Sequence, residues 1–148
     1  QLAMESNGYI IGQSLPGNLL YLSLQLANAY DQYGNTSDRD LLLGDIKASL
    51  QQLRKTEPLI SGLLFISASL ASIENDLPGV LRELESAVES GFRNHWELIR
   101  DPVFKRWQNH PEFIAFHQGM LDSAARMRAE YYANSPTEQT STAPEVDY

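Results

Sequence analysis

The sequence predicts an all-α chain: helical hairpins stacked side by side and closed by a long C-terminal helix. Three observations carry that expectation. Apolar residues recur at three- and four-residue steps through most of the 148 residues, and no segment of useful length alternates apolar with polar. Breaks containing Gly, Asn or Pro punctuate the pattern. Two pairs of segments also superimpose on one another, at shifts of 34 and 41 residues.

In chain order, residues 1–14 are Gly-rich and polar apart from "YII" and read as an N-terminal loop or linker. From Leu15 to Tyr33, the residues Leu19, Leu22, Leu26, Ala29 (or Tyr30) and Tyr33 share one helical face, which predicts the buried side of a first helix. "GNTSD" ends it, with Gly34 suited to a left-handed C′ residue and Thr36 to Asp38 offering caps to the next helix. That second helix runs to about Lys55 with Leu42, Ile46, Leu50 and Leu53 inward, and Glu57-Pro58 stops it. A third helix, Leu59 to Asn75, is apolar nearly all round and should be central. A fourth, Leu77 to Ser90, turns Val80, Leu81, Leu84, Ala87 and Val88 inward before Gly91. Pro111 fits the first turn of the last helix, whose apolar stripe is Phe113, Phe116, Met120, Ala124, Met127 and Tyr131. The residues from 134 to 148 are polar, acidic and rich in Pro and Thr, and read as a disordered tail. The folded domain is thus expected over 15–133.

Composition narrows the function classes. Nineteen Asp and Glu against 11 Lys and Arg give a net charge of −8, which disfavours a nucleic-acid or anionic-membrane surface. Without cysteine there is no thiolate catalysis, disulfide or Cys-based zinc site. No run approaches the ~20 apolar residues that span a bilayer, so no membrane insertion is expected. The chain opens with Gln1 and has no basic n-region, and it reads as a piece of a longer protein. Its compartment, cytoplasmic or periplasmic, would then depend on what lies upstream.

The internal repeat is the most specific feature. The second and fourth helices align at a shift of 34 residues, placing Ile46 on Val80, Leu50 on Leu84 and Leu53 on Ala87. The first and third align at a shift of 41, placing Ala27 on Ala68, Tyr30 on Ala71 and Gly34 on Asn75. Ala27, Tyr30, Gly34, Ile46, Leu50, Leu53 and Pro58 in one unit, and Leu64, Ala68, Ala71, Val80, Leu84 and Ala87 in the other, resemble the packing positions of the tetratricopeptide repeat (TPR). Neither unit has the tryptophan of the family's first position, and Ser67 stands where leucine is usual. The run "AVESGFRN", then "DPVF" and "HPEF", resembles the segment closing TPR-like regions of bacterial multidomain regulators, of winged-helix or nucleotide-cyclase type. The resemblance implies a right-handed α-α superhelix of TPR-like hairpins with a long C-terminal capping helix. It also implies a regulatory or protein-binding role.

Candidate chemistry is sparse. No GxSxG, Ser-x-x-Lys, P-loop, GxGxxG or HExxH occurs, so no enzyme activity and no cofactor are expected. His110 and His117 lie about two turns apart, too far to share a metal at ~2 Å ligand distances, so no metal site is expected. Asp101-Pro102 reads as a helix start, and Asn94 with Glu97 has capping-box spacing. Trp96, Ile99, Phe104, Trp107 and Phe113 read as an apolar plug on the last repeat.

By the resemblance, the concave face would be lined by Tyr21, Leu24, Asn28 and Asp31, then Gly62, Phe65, Ser69 and Ser72. Such a groove suits an extended protein or peptide segment. The expected function is a non-catalytic interaction or regulatory module. A sensor of a small-molecule effector, held between the inner helices and the aromatic connector, is one alternative. An oligomerisation scaffold making homo-oligomers is another.

Overall fold

The computed structural model describes residues 17–56 and 60–134. Every regular element among them is helical: α1 (Gly17–Gln32), α2 (Thr36–Thr56), α3 (Ser61–Ile73), α4 (Leu77–Glu89), α5 (His95–Arg100), a 3-10 helix (Pro102–Trp107) and α6 (Pro111–Asn134). The expected loop over 1–14, the Glu57-Pro58 break and the tail beyond residue 134 lie outside the described residues. α1 packs on α2, α3 packs on α4, and α1 lies against α3. The short turns after α1 and α3 make each hairpin antiparallel.

The two turns are built alike, and a third C-terminus repeats the pattern. After α1, Asn35 N–H donates to the Tyr30 carbonyl (2.9 Å) and Gly34 N–H to Asp31 (3.2 Å). After α3, Asp76 donates to Ala71 (2.9 Å) and Asn75 to Ser72 (3.0 Å). After α4, Phe92 donates to Ala87 (2.8 Å) and Gly91 to Val88 (3.1 Å). These are Schellman caps, and each needs a left-handed residue: Gly34 (φ 75°), Asn75 (φ 62°) and Gly91 (φ 105°). The alignment of Gly34 with Asn75 therefore marks equivalent backbone positions. On the far side of the second turn, Asp76 caps α4 by accepting from Gly79 N–H at 3.0 Å. On the far side of the first, Asn35, rather than the expected Thr36 to Asp38, accepts from Asp38 N–H at 3.4 Å.

Two apolar clusters form the core. Leu20, Leu24 and Ala27 of α1 meet Leu43, Ile46 and Leu50 of α2 and Leu63, Ile66, Leu70 and Ile73 of α3. Phe65 and Ala68 from another side of α3 meet Val80 and Leu84 of α4, with Leu98, Phe104, Phe113 and Met120. Helix α3 belongs to both clusters, which is why its sequence is apolar nearly all round. Val103 completes the first cluster and Phe104 the second, so two adjacent residues of the 3-10 helix tie the halves together.

Three expectations need correction. The face of α1 that packs inward is Leu20, Leu24 and Ala27, whereas Leu22, Leu26 and Tyr33 are 61, 47 and 88% exposed. α1 carries two apolar stripes, and periodicity alone selected the outer one. Trp96 does not plug the stack: it is 55% exposed, with the Arg100 guanidinium 5.6 Å from its ring centre, and Ile99 is also exposed. The plug is Phe104, Phe113 and the half-buried Trp107. Along α6, Phe113 and Met120 are buried, but Met127 and Tyr131 are exposed, so its stripe outruns the surface it packs on.

Candidate functional site

The face of α1 and α3 expected to form an open groove is covered by residues 101–107, which act as a clasp across it. Three polar links hold the clasp. The Asp101 carboxylate accepts from Gln25 Nε2 (2.9 Å) and the Tyr21 hydroxyl (3.3 Å) on α1, and from Val103 N–H (2.9 Å), which caps the 3-10 helix as expected. On α3, the Ser72 hydroxyl donates to the Val103 carbonyl (2.7 Å) and accepts from Trp107 Nε1 (2.8 Å). At the end of α1, Asp31 takes Arg106 of the clasp and Arg39 of α2, each at 2.6 Å.

Every residue predicted for the groove is thereby accounted for. Tyr21 and Asp31 hold the clasp through polar groups; Leu24 and Asn28 are buried, and Asn28 Oδ1 has no hydrogen-bond partner. Phe65 lies inside, its ring centre 5.0 Å from Phe92 and 5.4 Å from Phe104. Ser69 is buried and donates to the Phe65 carbonyl at 3.0 Å, while Ser72 is the hydroxyl shared by Val103 and Trp107. The groove is filled by the chain itself because its polar groups match what a returning segment offers: a carboxylate, a carbonyl, an indole N–H and a guanidinium. Gly62 alone of the set is exposed, at the start of α3.

The clasp also shapes the electrostatics. Burial works to raise the Asp31 carboxyl, but Arg106 and Arg39 overcome it and hold it below the ordinary value. Burial, then the charge and hydrogen bond of Asp101, raises the Tyr21 hydroxyl. Burial, then the neighbouring Asp101 carboxylate, raises the Glu97 carboxyl. Asn94 does not complete a capping box; its side-chain amide donates to Glu97 Oε2 at 3.2 Å instead.

An open cleft of about 340 Å³ lies between α1 and the α5–clasp junction, lined by Tyr21, Trp96, Glu97, Arg100 and Asp101. Phe65 and Phe104 are buried in the core, so this is not the closed apolar pocket that a sensor of apolar molecules would show. Elsewhere, α5 and α6 bring His95 beside His117, with ring centres 5.7 Å apart. Burial, then the His95 ring, holds His117 below the ordinary imidazole value. Sequence spacing could not reveal this pairing, which depends on how α6 returns past α5.

Among the described residues, no helix is long and apolar enough to cross a membrane, and no group of three or more His, Asp or Glu is placed to hold a metal ion. Comparison of the chain with family models, curated proteins and solved structures returns no match.

Proposed function

We propose that this chain is a TPR-like, non-catalytic interaction module of a larger bacterial signalling or transcription protein. The observation that carries this reading is the outer face of α1. Leu22 and Leu26 stand exposed on a helix whose opposite face is already packed into the core, and Tyr33, just past its end, is exposed as well. Water contact along a whole apolar helical stripe is unfavourable by roughly 25 cal/mol per Å², which favours a covering helix. The pairing of α1 with α2, α3 with α4 and α1 with α3, and the matched turns at Gly34 and Asn75, support the repeat architecture behind the reading. With the concave face filled, the partner is assigned to the outer face of α1. There an amphipathic helix can dock as a neighbouring repeat would.

A photo-crosslinking side chain at Leu22 in the full-length protein tests this. Crosslinks to a second polypeptide or to another domain of the parent support it. Crosslinks confined to residues 1–16 would show that the chain covers its own stripe, and the docking role would be lost.

One observation favours a second reading, a small-molecule sensor. The cleft at Trp96 combines two aromatic rings with Glu97 and Asp101, and Arg100 already lies over Trp96. An organic ammonium ion would exploit the same ring face and carboxylates. Isothermal titration with alkylammonium ions decides it: no saturable heat, or heat unchanged in Trp96→Ala, removes the sensor.

A further inference from the structure

The pairing of His95 with His117 is used by neither the core nor the docking face. Both rings sit where the short helix α5 meets the first half of α6. His95 Nδ1 and His117 Nε2 are shut off from solvent, and neither has a hydrogen-bond partner. A shielded imidazole nitrogen without a partner loses its hydration for nothing, unless another group fills that place. His110 makes a useful contrast: its Nδ1 is also shielded and unpartnered, but its ring contact is Trp107, with centres 6.2 Å apart, and not another imidazole.

Two imidazoles sharing one ion hold their ring centres ~5–6 Å apart, given nitrogen–metal bonds of about 2 Å. The observed 5.7 Å falls in that range, with the ring planes inclined at 50°. Imidazole nitrogen is the donor that suits zinc, nickel and copper, whereas magnesium and calcium need clustered oxygens, and no acidic group joins this pair in a metal-holding cluster.

We propose that His95 and His117 form a two-histidine site for a late first-row transition-metal ion, Zn²⁺, Ni²⁺ or Cu²⁺. His95 binds through Nδ1 and His117 through Nε2, with water completing the coordination. The ion bridges α5 to α6 and so clips the capping helix to the hairpin stack. Because both ligands come from packed helices, binding stabilises the folded chain over the unfolded one.

The experiment uses the full chain with Zn²⁺ and Ni²⁺ near neutral pH. Isothermal titration should give one saturable equivalent, and thermal melting should shift upward by several degrees, reversibly with chelator. His95→Gln and His117→Gln should each lose both effects, while His110→Gln should keep them. Absence of a saturable site overturns the proposal. So does binding that survives in His95→Gln or His117→Gln, which would mark ions gathered by the acidic surface. Should either variant fail to fold, paramagnetic Ni²⁺ added to the unaltered chain decides: the site requires selective broadening of the His95 and His117 ring signals, and equal broadening of His110 refutes it.

Discussion

The indole N–H of Trp107 donates to the hydroxyl of Ser72 at 2.8 Å, and that hydroxyl in turn donates to the Val103 carbonyl at 2.7 Å. One small buried side chain thus satisfies both ends of the clasp. Ser72→Ala would take from the Trp107 N–H this acceptor and from the Val103 carbonyl this donor, so a loss of about 1–3 kcal/mol is expected in urea unfolding. Trp107→Phe removes one of those two groups, so the Ser72→Ala, Trp107→Phe pair should show clear non-additivity. Additive losses would mean that the hydroxyl does not couple the two.

The aromatic residues near the clasp should separate sharply in stability measurements. Phe104 is fully buried and Phe113 is 2% exposed, so either change to Ala should cost about 3–5 kcal/mol. Trp96→Ala should cost less than ~1 kcal/mol, since an exposed ring loses little beyond its contact with Arg100. Equal losses at Trp96 and Phe104 would contradict the placement of the plug.

Glu97 sets a pH dependence with a definite sign. Burial and Asp101 raise its carboxyl above the ordinary value of 4.5 in the folded chain. The unfolded chain therefore releases this proton first, and the group's contribution to stability falls as pH rises from 4.5 through the folded value. Glu97→Gln should melt higher than the unaltered chain at neutral pH, with the gap closing under acid conditions. A gap that does not narrow on acidification rules this account out.

The turn between α3 and α4 offers a backbone test. Asn75 holds a left-handed φ of 62°, which glycine adopts without a Cβ penalty, so Asn75→Gly should be neutral or stabilising by up to ~1 kcal/mol. Four residues on, a Cβ at Gly79 would run into the Asp76 carboxylate that caps α4. Gly79→Ala should cost about 0.5–2 kcal/mol through the lost cap, despite the better helix propensity of alanine. Thermal melts of the two variants should move in opposite directions or differ by that amount.

Much of the helical order was legible, because three- and four-residue periodicity with Gly, Asn and Pro breaks is written locally. The left-handed turns at Gly34 and Asn75 were legible for the same reason. The inner face of α1 was not. Leu20-Leu24-Ala27 and Leu19-Leu22-Leu26 both make apolar stripes, and only the positions of α2, α3 and the clasp select between them. Asp101 was read correctly as a local cap, but its bonds to Tyr21 and Gln25 cross about eighty residues of chain and have no local signature. The filling of the groove was invisible for that reason, and so was the meeting of His95 with His117.

The span of those links bears on how the chain folds. Each hairpin closes through neighbours in sequence, whereas the clasp joins Tyr21 to Asp101, separated by 80 positions, and Asp31 to Arg106, separated by 75. The hairpins form without any such long closure, and the clasp contacts should form last, after the rate-limiting transition state. Weakening it at Ser72 or Arg106 should then quicken unfolding while leaving the refolding rate nearly untouched. The residues that shut the groove would act as a brake on opening, and how long the native state lasts would depend on them more than how fast it forms.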